Sequence, residues 1–595
     1  MSAVDPALVG RWEQAWPQAL GAWGRTSRMH APVLHADADL DGSAPSFAWY
    51  DTATVEVHID LAQVARLGLG DHAVAILAHE VGHHLLAPAD RRSAVRIAAR
   101  VRAGLVDLDD QVSGVANLWT DLLINDRLQR RAGVDLAAVW RTLGPPHDPV
   151  MALVLRACEI LWGLRRGALA GPAPVGEDHA NLLAKLVRAY GRDPVAGAGG
   201  FASLVRNAFP VEALTSGRPR TAFLCADACT GTDVPYGLAS DDSLAAPVVH
   251  PALDPAVVGA ALPDAPQPPA DDAADAGVSG TAPDTAASPS AGSRGNTLLP
   301  AELHAVLAAL GSRSTLEDVA VAWYREHAAP HLVRFPERVS HRSPEPLLGG
   351  LEDWSVGEDL GDIDWVATVA ASPVVLPGRT TRRRELLEDD AAEPERRPLD
   401  LDLYLDSSGS MPDPKRHRSA VALGGAVLAL SALRAGAWVQ ATTWSGPQQI
   451  AGTDGFTRDA TVVLRAIVAH FGGGTSFPLG LLARTHLGGD GRRPTRRGPT
   501  HLAVVSDDGV STMFTAWDPA EKQVVDLPLA ARALEAAEGG GTLLLDVPRA
   551  SVAGFEQMAP GFDVHDVRTE DDLVAFARAF ARRTWGSRTS AGGAR

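Results

Sequence analysis

Hydrophobic and polar positions change period several times along this chain, and each change marks an element. Residues 3–25 carry Trp12, Trp16 and Trp23 at helical spacing and read as an amphipathic helix, broken or kinked near Pro17. Two strands follow, at 46–50 and 54–60, the second alternating apolar and polar residues as a half-buried strand does. Helical periodicity returns over 71–88, over a basic stretch at 89–103, over 114–131, and in Ala-, Leu- and Arg-rich segments to about residue 210. The segment 251–295 is Pro, Ala, Asp, Gly and Ser without an aromatic residue; it buries too little apolar surface to offset its ordering entropy and reads as a flexible linker. Residues 299–328 again look helical. From Leu399 strands at 400–406, 438–445, 501–506, 542–547 and 562–567 alternate with helices at 415–435, 460–470, 527–537 and 570–583. That alternation specifies a doubly wound, mostly parallel sheet with helices on both faces. The expected fold is multidomain α/β: a mainly helical domain with a small β-sheet over 1–245, a linker over 246–296, a connecting segment over 297–397, the parallel-sheet domain over 398–585 and a disordered tail over 586–595.

Composition narrows the function. A chain of 595 residues is too long for one core and implies two or three domains. A formal charge of −18 and a pI near 5.5 argue against a general nucleic-acid or anionic-membrane binder. Three cysteines, Cys158, Cys225 and Cys229, make no disulfide framework and fit a reducing compartment. Cys225 and Cys229 form a C-x3-C pair with no second pair to complete a metal site, and read as small buried residues. The first twenty residues lack the basic start and apolar core of a secretion signal, and no run of about eighteen apolar residues occurs, so a cytoplasmic protein is expected.

Candidate chemistry centres on 71–88, DHAVAILAHEVGHHLLAP, which contains His79-Glu80-x-x-His83. On an α-helix the two imidazoles share one stripe a turn apart and can bind one Zn²⁺, with the Glu80 carboxylate within reach of a water there. Val74, Leu77, Ala78, Val81 and Leu85 gather on the opposite side, so one face packs while the other looks into a cleft. His84 points about 140° from His79, and His72 lies about 10 Å away along the helix; neither fits the same metal. In 114–131, Asn117, Asp121 and Asn125 recur every four residues as a polar stripe edged by Leu118, Ile124 and Leu128. Asp121 is the candidate third ligand, because a carboxylate binds zinc better than an amide; hydrogen-bonded packing or a solvated face is the alternative reading of the stripe.

A second constellation stands at the end of the first strand of the parallel sheet, Asp406-Ser407-Ser408-Gly409-Ser410. Its carboxylate and hydroxyls are hard oxygen ligands suited to Mg²⁺, at the carboxyl end of a strand where open α/β sheets bind ligands. Thr475 in the loop Gly472-Gly473-Gly474-Thr475-Ser476 and Asp507 after the later strand can complete the set. Asp508 is the alternative carboxylate; Asp507, directly after the strand, is preferred.

These residues, over about 398–585, resemble the metal-ion-dependent adhesion site of von Willebrand factor A domains, with Asp406, Ser408 and Ser410, then Thr475, then Asp507 in the family's order. In such domains Mg²⁺ keeps one coordination position for a partner's carboxylate, so the resemblance implies binding and not hydrolysis. The order HExxH, Asp-x-x-x-Asn helix, A-like domain further resembles a bacterial family of zincin-like metallopeptidase domains fused to such domains. There TDLLIN resembles the helix supplying the third zinc ligand, and WSVGEDLGDIDW…SPVVLPGRTT the segment preceding the A-like domain. Relatives are commonly paired with MoxR-type AAA+ ATPases. This chain has no G-x-x-x-x-G-K-[ST] loop, so nucleotide hydrolysis would belong to that partner.

Two functions follow as expectations. In the first, a zinc metallopeptidase, His79, His83 and Asp121 hold Zn²⁺, Glu80 is general base, and the A-like domain binds a protein target or partner through Mg²⁺. In the second, a non-enzymatic scaffold serves an AAA+ ATPase in remodelling or metal insertion. Glu80 separates them, since a structural zinc site needs a fourth protein ligand and no base.

Overall fold

The computed structural model describes residues 4–24, 29–36, 46–51, 54–172, 174–215, 233–262, 297–340, 347–387, 395–489, 491–520, 522–569, 571–573, 575–576 and 579–580. The chain forms two compact units, residues 1–327 with 412–418, and residues 328–411 with 419–595. It is multidomain α/β, as its periodicities predict.

The first unit is helical with one small sheet. Helix α1 (Pro6–Gly21) begins where the Asp5 carboxylate accepts from Ala7 N–H. It runs through Pro17 without the expected break, because Trp12, Trp16 and Ala19 are buried on both sides of the proline and Trp12 Nε1 donates to Gly70 O at 3.2 Å. In the sheet, β3 (Glu56–Asp60) lies between β1 (Val33–His35), parallel to it, and β2 (Ala48–Asp51), antiparallel. Helices α2 (Leu61–Arg66), α3 (Ala73–Leu85), α4 (Arg91–Leu105), α5 (Val112–Arg127), α6 (Leu136–Leu143), α7 (Pro149–Leu161), α8 (Glu177–Tyr190), α9 (Pro194–Ala208) and α10 (Val211–Thr215) follow. Tyr50, Val57, Ile59, Leu77, Val81 and Ile124 share one core with α1, so α3 is wedged between the sheet and α5. The wedge is tight at Gly82: a Cβ there would lie 2.5 Å from Ile124 Cγ2 and 2.8 Å from Trp23 Cζ2.

The expected linker starts too early. Residues 246–262 carry α11 (Pro255–Val258), Pro251 and Val257 are buried, and Tyr190 Oη donates to Asp254 at 2.6 Å. These few anchors order a segment whose composition alone predicts flexibility. Helices α12 (Pro300–Ala309) and α13 (Leu316–Ala328) pack with the first unit. Residues 263–296, the tail at 586–595, and Cys225 with Cys229 lie outside the described residues, as does part of the helix expected at 570–583. Cys158 is buried in α7, and burial pushes its thiol well above its ordinary value.

The second unit opens with two antiparallel pairs, β4 (Glu337–Ser340) with β7 (Glu395–Pro398), and β5 (Leu347–Asp353) with β6 (Arg382–Leu387), the latter carrying α14 (Trp365–Ala371). Its main sheet has six strands in the order β10-β9-β8-β11-β14-β15: β8 (Asp400–Asp406), β9 (Val439–Trp444), β10 (Ile450–Gly452), β11 (Thr500–Ser506), β14 (Glu538–Leu545) and β15 (Phe562–Asp566). All pair in parallel except the edge strand β10. Both faces are covered, which is why β9 and β11 read as continuous buried runs. On one side α15 (Ala420–Arg434) lies so close that a Cβ on Gly425 would sit 2.9 Å from Leu405. On the other, Tyr404, Leu502, Val504, Leu543 and Leu545 pack against Ala530 and Ala533 of α18 (Leu529–Ala537). Helices α16 (Ala460–Val468), α17 (Leu479–His486) and α19 (Val552–Met558) and a hairpin of β12 (Thr515–Asp518) and β13 (Gln523–Asp526) complete it. Among the described residues no helix is long and apolar enough to cross a membrane.

Candidate metal centres

Helices α3 and α5 bring His79, His83 and Asp121 together. His79 Nε2 and His83 Nε2 are 3.2 Å apart, and Asp121 Oδ1 is 3.4 Å from the first and 3.3 Å from the second. Four-coordinate zinc with ligands at about 2.0–2.1 Å sets ligand atoms about 3.3–3.4 Å apart, so the three atoms describe one face of such a tetrahedron. The outer ring nitrogens fix the tautomers. His83 Nδ1 donates to the Ala87 carbonyl at 3.1 Å and His79 Nδ1 to Asn125 Oδ1 at 2.8 Å. Each Nε2 therefore turns a lone pair toward the other and toward a carboxylate oxygen. Three lone-pair-bearing atoms at this spacing, all buried, repel one another unless a cation lies among them. The donor set fits a metal ion.

Burial pushes the Asp121 carboxyl up; when no ion lies among the three, protons on the His79 and His83 Nε2 atoms take its place, and their hydrogen bonds and charge more than offset burial and leave the carboxyl below its ordinary value. Glu80, between the ligands in sequence, is completely buried. His84 turns aside, as expected, and its Nδ1 pairs with Tyr50 Oη at 2.9 Å. His72, at the start of α3, meets Thr142 Oγ1 at 3.0 Å. A cavity of about 40 Å³ adjoins His79, Asp121 and Asn125 and is otherwise apolar, walled by Phe47, Ile76 and α6. Asn125 was visible in sequence as part of the polar stripe, but its role as the acceptor for His79 was not. Its spacing of four from Asp121 puts it a turn further along the ligand face of α5.

The second site lies past the carboxyl ends of β8 and β11. Asp406 accepts from Ser408 N–H at 2.8 Å and from the Ser506 hydroxyl at 2.6 Å. Ser410 donates its hydroxyl to Asp507 and lies 3.2 Å, Oγ to Oγ, from Ser408. Thr475 joins them around Gly509, where a Cβ would stand 2.5 Å from Thr475 Cγ2, 2.9 Å from Asp507 Oδ1 and 3.1 Å from Asp406 Oδ2. Asp406, Ser408, Ser410 and Asp507 thus gather in one cluster, and Thr475 lies beside it with its methyl toward Gly509. Asp507 is buried and turned inward while Asp508 is exposed. Burial raises the Asp406 carboxyl, the Asp507 charge adds to this, and hydrogen bonds from Ser506 and Ser408 only partly oppose it. Two adjacent carboxylates ringed by hydroxyls fit a hard divalent cation.

No protein-family model matches the chain, and no curated protein does. Two crystal structures of the pilus adhesin SpaC from Lactobacillus rhamnosus GG are distantly similar. The open form has 16% identity and a TM-score of 0.23, and the second structure 13% and 0.22. Each similarity covers 32% of this chain and 30% of the adhesin, so the chain spans under a third of that protein's length. The six-stranded, mostly parallel sheet is consistent with the von Willebrand A-like fold expected from sequence.

Proposed function

We propose that the chain is a zinc-dependent metallopeptidase whose second unit binds a protein partner or target through Mg²⁺. The observation that supports this reading is the three-sided ligand face of His79, His83 and Asp121, which adjoins a cavity at His79 and Asp121 and, among the described residues, gathers no fourth His, Cys, Asp or Glu. Zinc held there would supply Lewis acidity toward a carbonyl oxygen. The chain's own residues would do the rest. Asn125 and the Ala87 carbonyl orient the imidazoles, Glu80 takes a proton from water and returns it to the leaving amine, and the apolar wall limits bulk water. In the second unit Asp406, Ser408, Ser410, Thr475 and Asp507 would hold Mg²⁺ for an acidic side chain of the partner, for which the resemblance suggests a MoxR-type AAA+ ATPase or its client.

One observation favours the scaffold reading: Glu80 is wholly buried and the cavity at the ligands is far smaller than a peptide. Elemental analysis with a cleavage assay separates the two. The peptidase reading expects one zinc per chain, lost in His79→Ala and Asp121→Ala, and a Glu80→Gln variant that keeps zinc but cuts no protein. Zinc retained with equal cleavage in Glu80→Gln would remove Glu80 from the chemistry. Zinc with no cleavage by the wild type on any protein tested, partner ATPase included, would leave the scaffold.

A further inference from the structure

One short helix walls one side of the first metal centre. Leu136, Val139, Trp140 and Leu143 of α6 stand with His79, Asp121 and Asn125 around the cavity of about 40 Å³. A water molecule needs about 10–15 Å³ of such space, so the cavity, partly open to solvent, admits a few waters and no polypeptide. We propose that α6 is a lid that swings off the ligand face to admit the substrate chain. The substrate half of this statement rests on the peptidase reading; the motion is a property of the fold.

Three features of α6 make it movable. Both ends carry a glycine in the left-handed region, Gly133 at φ +66° and Gly144 at φ +80°, each with open space where a Cβ would stand. Such positions absorb large backbone changes at little steric cost. Its side-chain ties to its surroundings are few: among the described residues, an exposed contact of Thr142 Oγ1 with His72 at 3.0 Å, and Gln129 Oε1 accepting from Ala137 N–H at 3.0 Å. Part of α6 also borders an open surface hollow. Ala138 and the loop residues Gly133, Val134 and Asp135 border a second cavity of about 570 Å³, faced by Gln18 and Val74. A roll of α6 toward that space would lift Leu136 and Val139 out of the core they share with α3 and uncover His79 and Asp121.

The lid is tested by how fast the site surrenders its metal. Zinc-loaded protein is mixed with excess chromophoric chelator, and the release rate is compared for wild type, Thr142→Val, and His72→Cys with Thr142→Cys joined by a short bis-thiol reagent. Wild type treated with the same reagent controls for the native cysteines. The expected result is release at least five-fold faster in Thr142→Val, at least ten-fold slower in the crosslinked variant, and normal again when the crosslink is cleaved. Equal rates in all three would mean that the metal is reached without moving α6, and would overturn the proposal. Amide hydrogen exchange on the unaltered protein gives an answer without metal: α6 should exchange at least ten-fold faster than α3 and α5, and equal protection would also overturn it. Neither readout involves peptide cleavage, so an inactive protein with a mobile α6 sinks the peptidase reading alone, and an active protein with a static α6 sinks the lid alone.

Discussion

At the scale of single residues, Asn125 does the most for its size. Its amide oxygen is what holds the proton on His79 Nδ1 and so the lone pair on Nε2. Asn125→Leu keeps the volume and removes the acceptor; it should weaken zinc binding about 10- to 100-fold, measured by chelator competition, with the circular-dichroism spectrum unchanged. The ligands themselves were legible because His79 and His83 follow a spacing that only a helix converts into one face. Asn125 was not, because whether its stripe meets the metal depends on how α5 crosses α3, which no local pattern encodes. A second residue carries a pH dependence unrelated to either metal centre. His501 is buried, its Nδ1 donating to Gly539 O at 2.9 Å and its Nε2 facing Thr542 Oγ1 at 3.0 Å, and burial lowers its pKa below the ordinary 6.5. With the folded value depressed, the unfolded chain takes up the proton first. The stability this histidine contributes is therefore complete above pH 6.5 and is lost as pH falls from there through the folded value. Thermal melts of the second unit should show that loss, and His501→Gln should flatten it.

At the scale of elements, the metal ligands come from two helices, so the distance between α3 and α5 sets the site. Gly82 is a point of close approach, facing Ile124 of α5. Gly82→Ala should force the helices apart, cost about 1–3 kcal/mol of stability as overpacking does, and weaken metal binding together with it. Urea unfolding and zinc titration of the same variant check both; unchanged affinity at reduced stability would show that the ligand face tolerates the displacement. Long elements with a clear period were readable, α3, α5, α15 and the strands β8, β9 and β11 among them. The three-residue strands β1 and β10 and the hairpin β12–β13 were not, since a few residues carry no measurable period and their strand state is imposed by neighbours. Helix α17, eight residues beside a Gly-rich loop, escaped for the same reason.

At the scale of the whole chain, two chemically different candidate ion sites belong to two separate units, each with its residues in one unit. The division was foreseeable from the composition change after residue 250, but its position was not, because α11, α12 and α13 join the first unit through buried contacts such as Val257, Leu303 and Trp323 that composition does not reveal. Separate sites imply separable linkage. An ion that binds only the folded state at about 1,000 times its Kd adds about 4 kcal/mol to the unit that holds it, and in a large unit each kcal/mol moves the midpoint by roughly 2–4 °C. Calorimetry should therefore show zinc raising one transition and Mg²⁺ another. His83→Ala should abolish the zinc shift and leave the Mg²⁺ shift, and Asp406→Ala should do the reverse. If Asp406→Ala also erased the zinc shift, the units would not be thermodynamically independent, and binding of a partner at the second site would be expected to change metal affinity at the first by the same free energy.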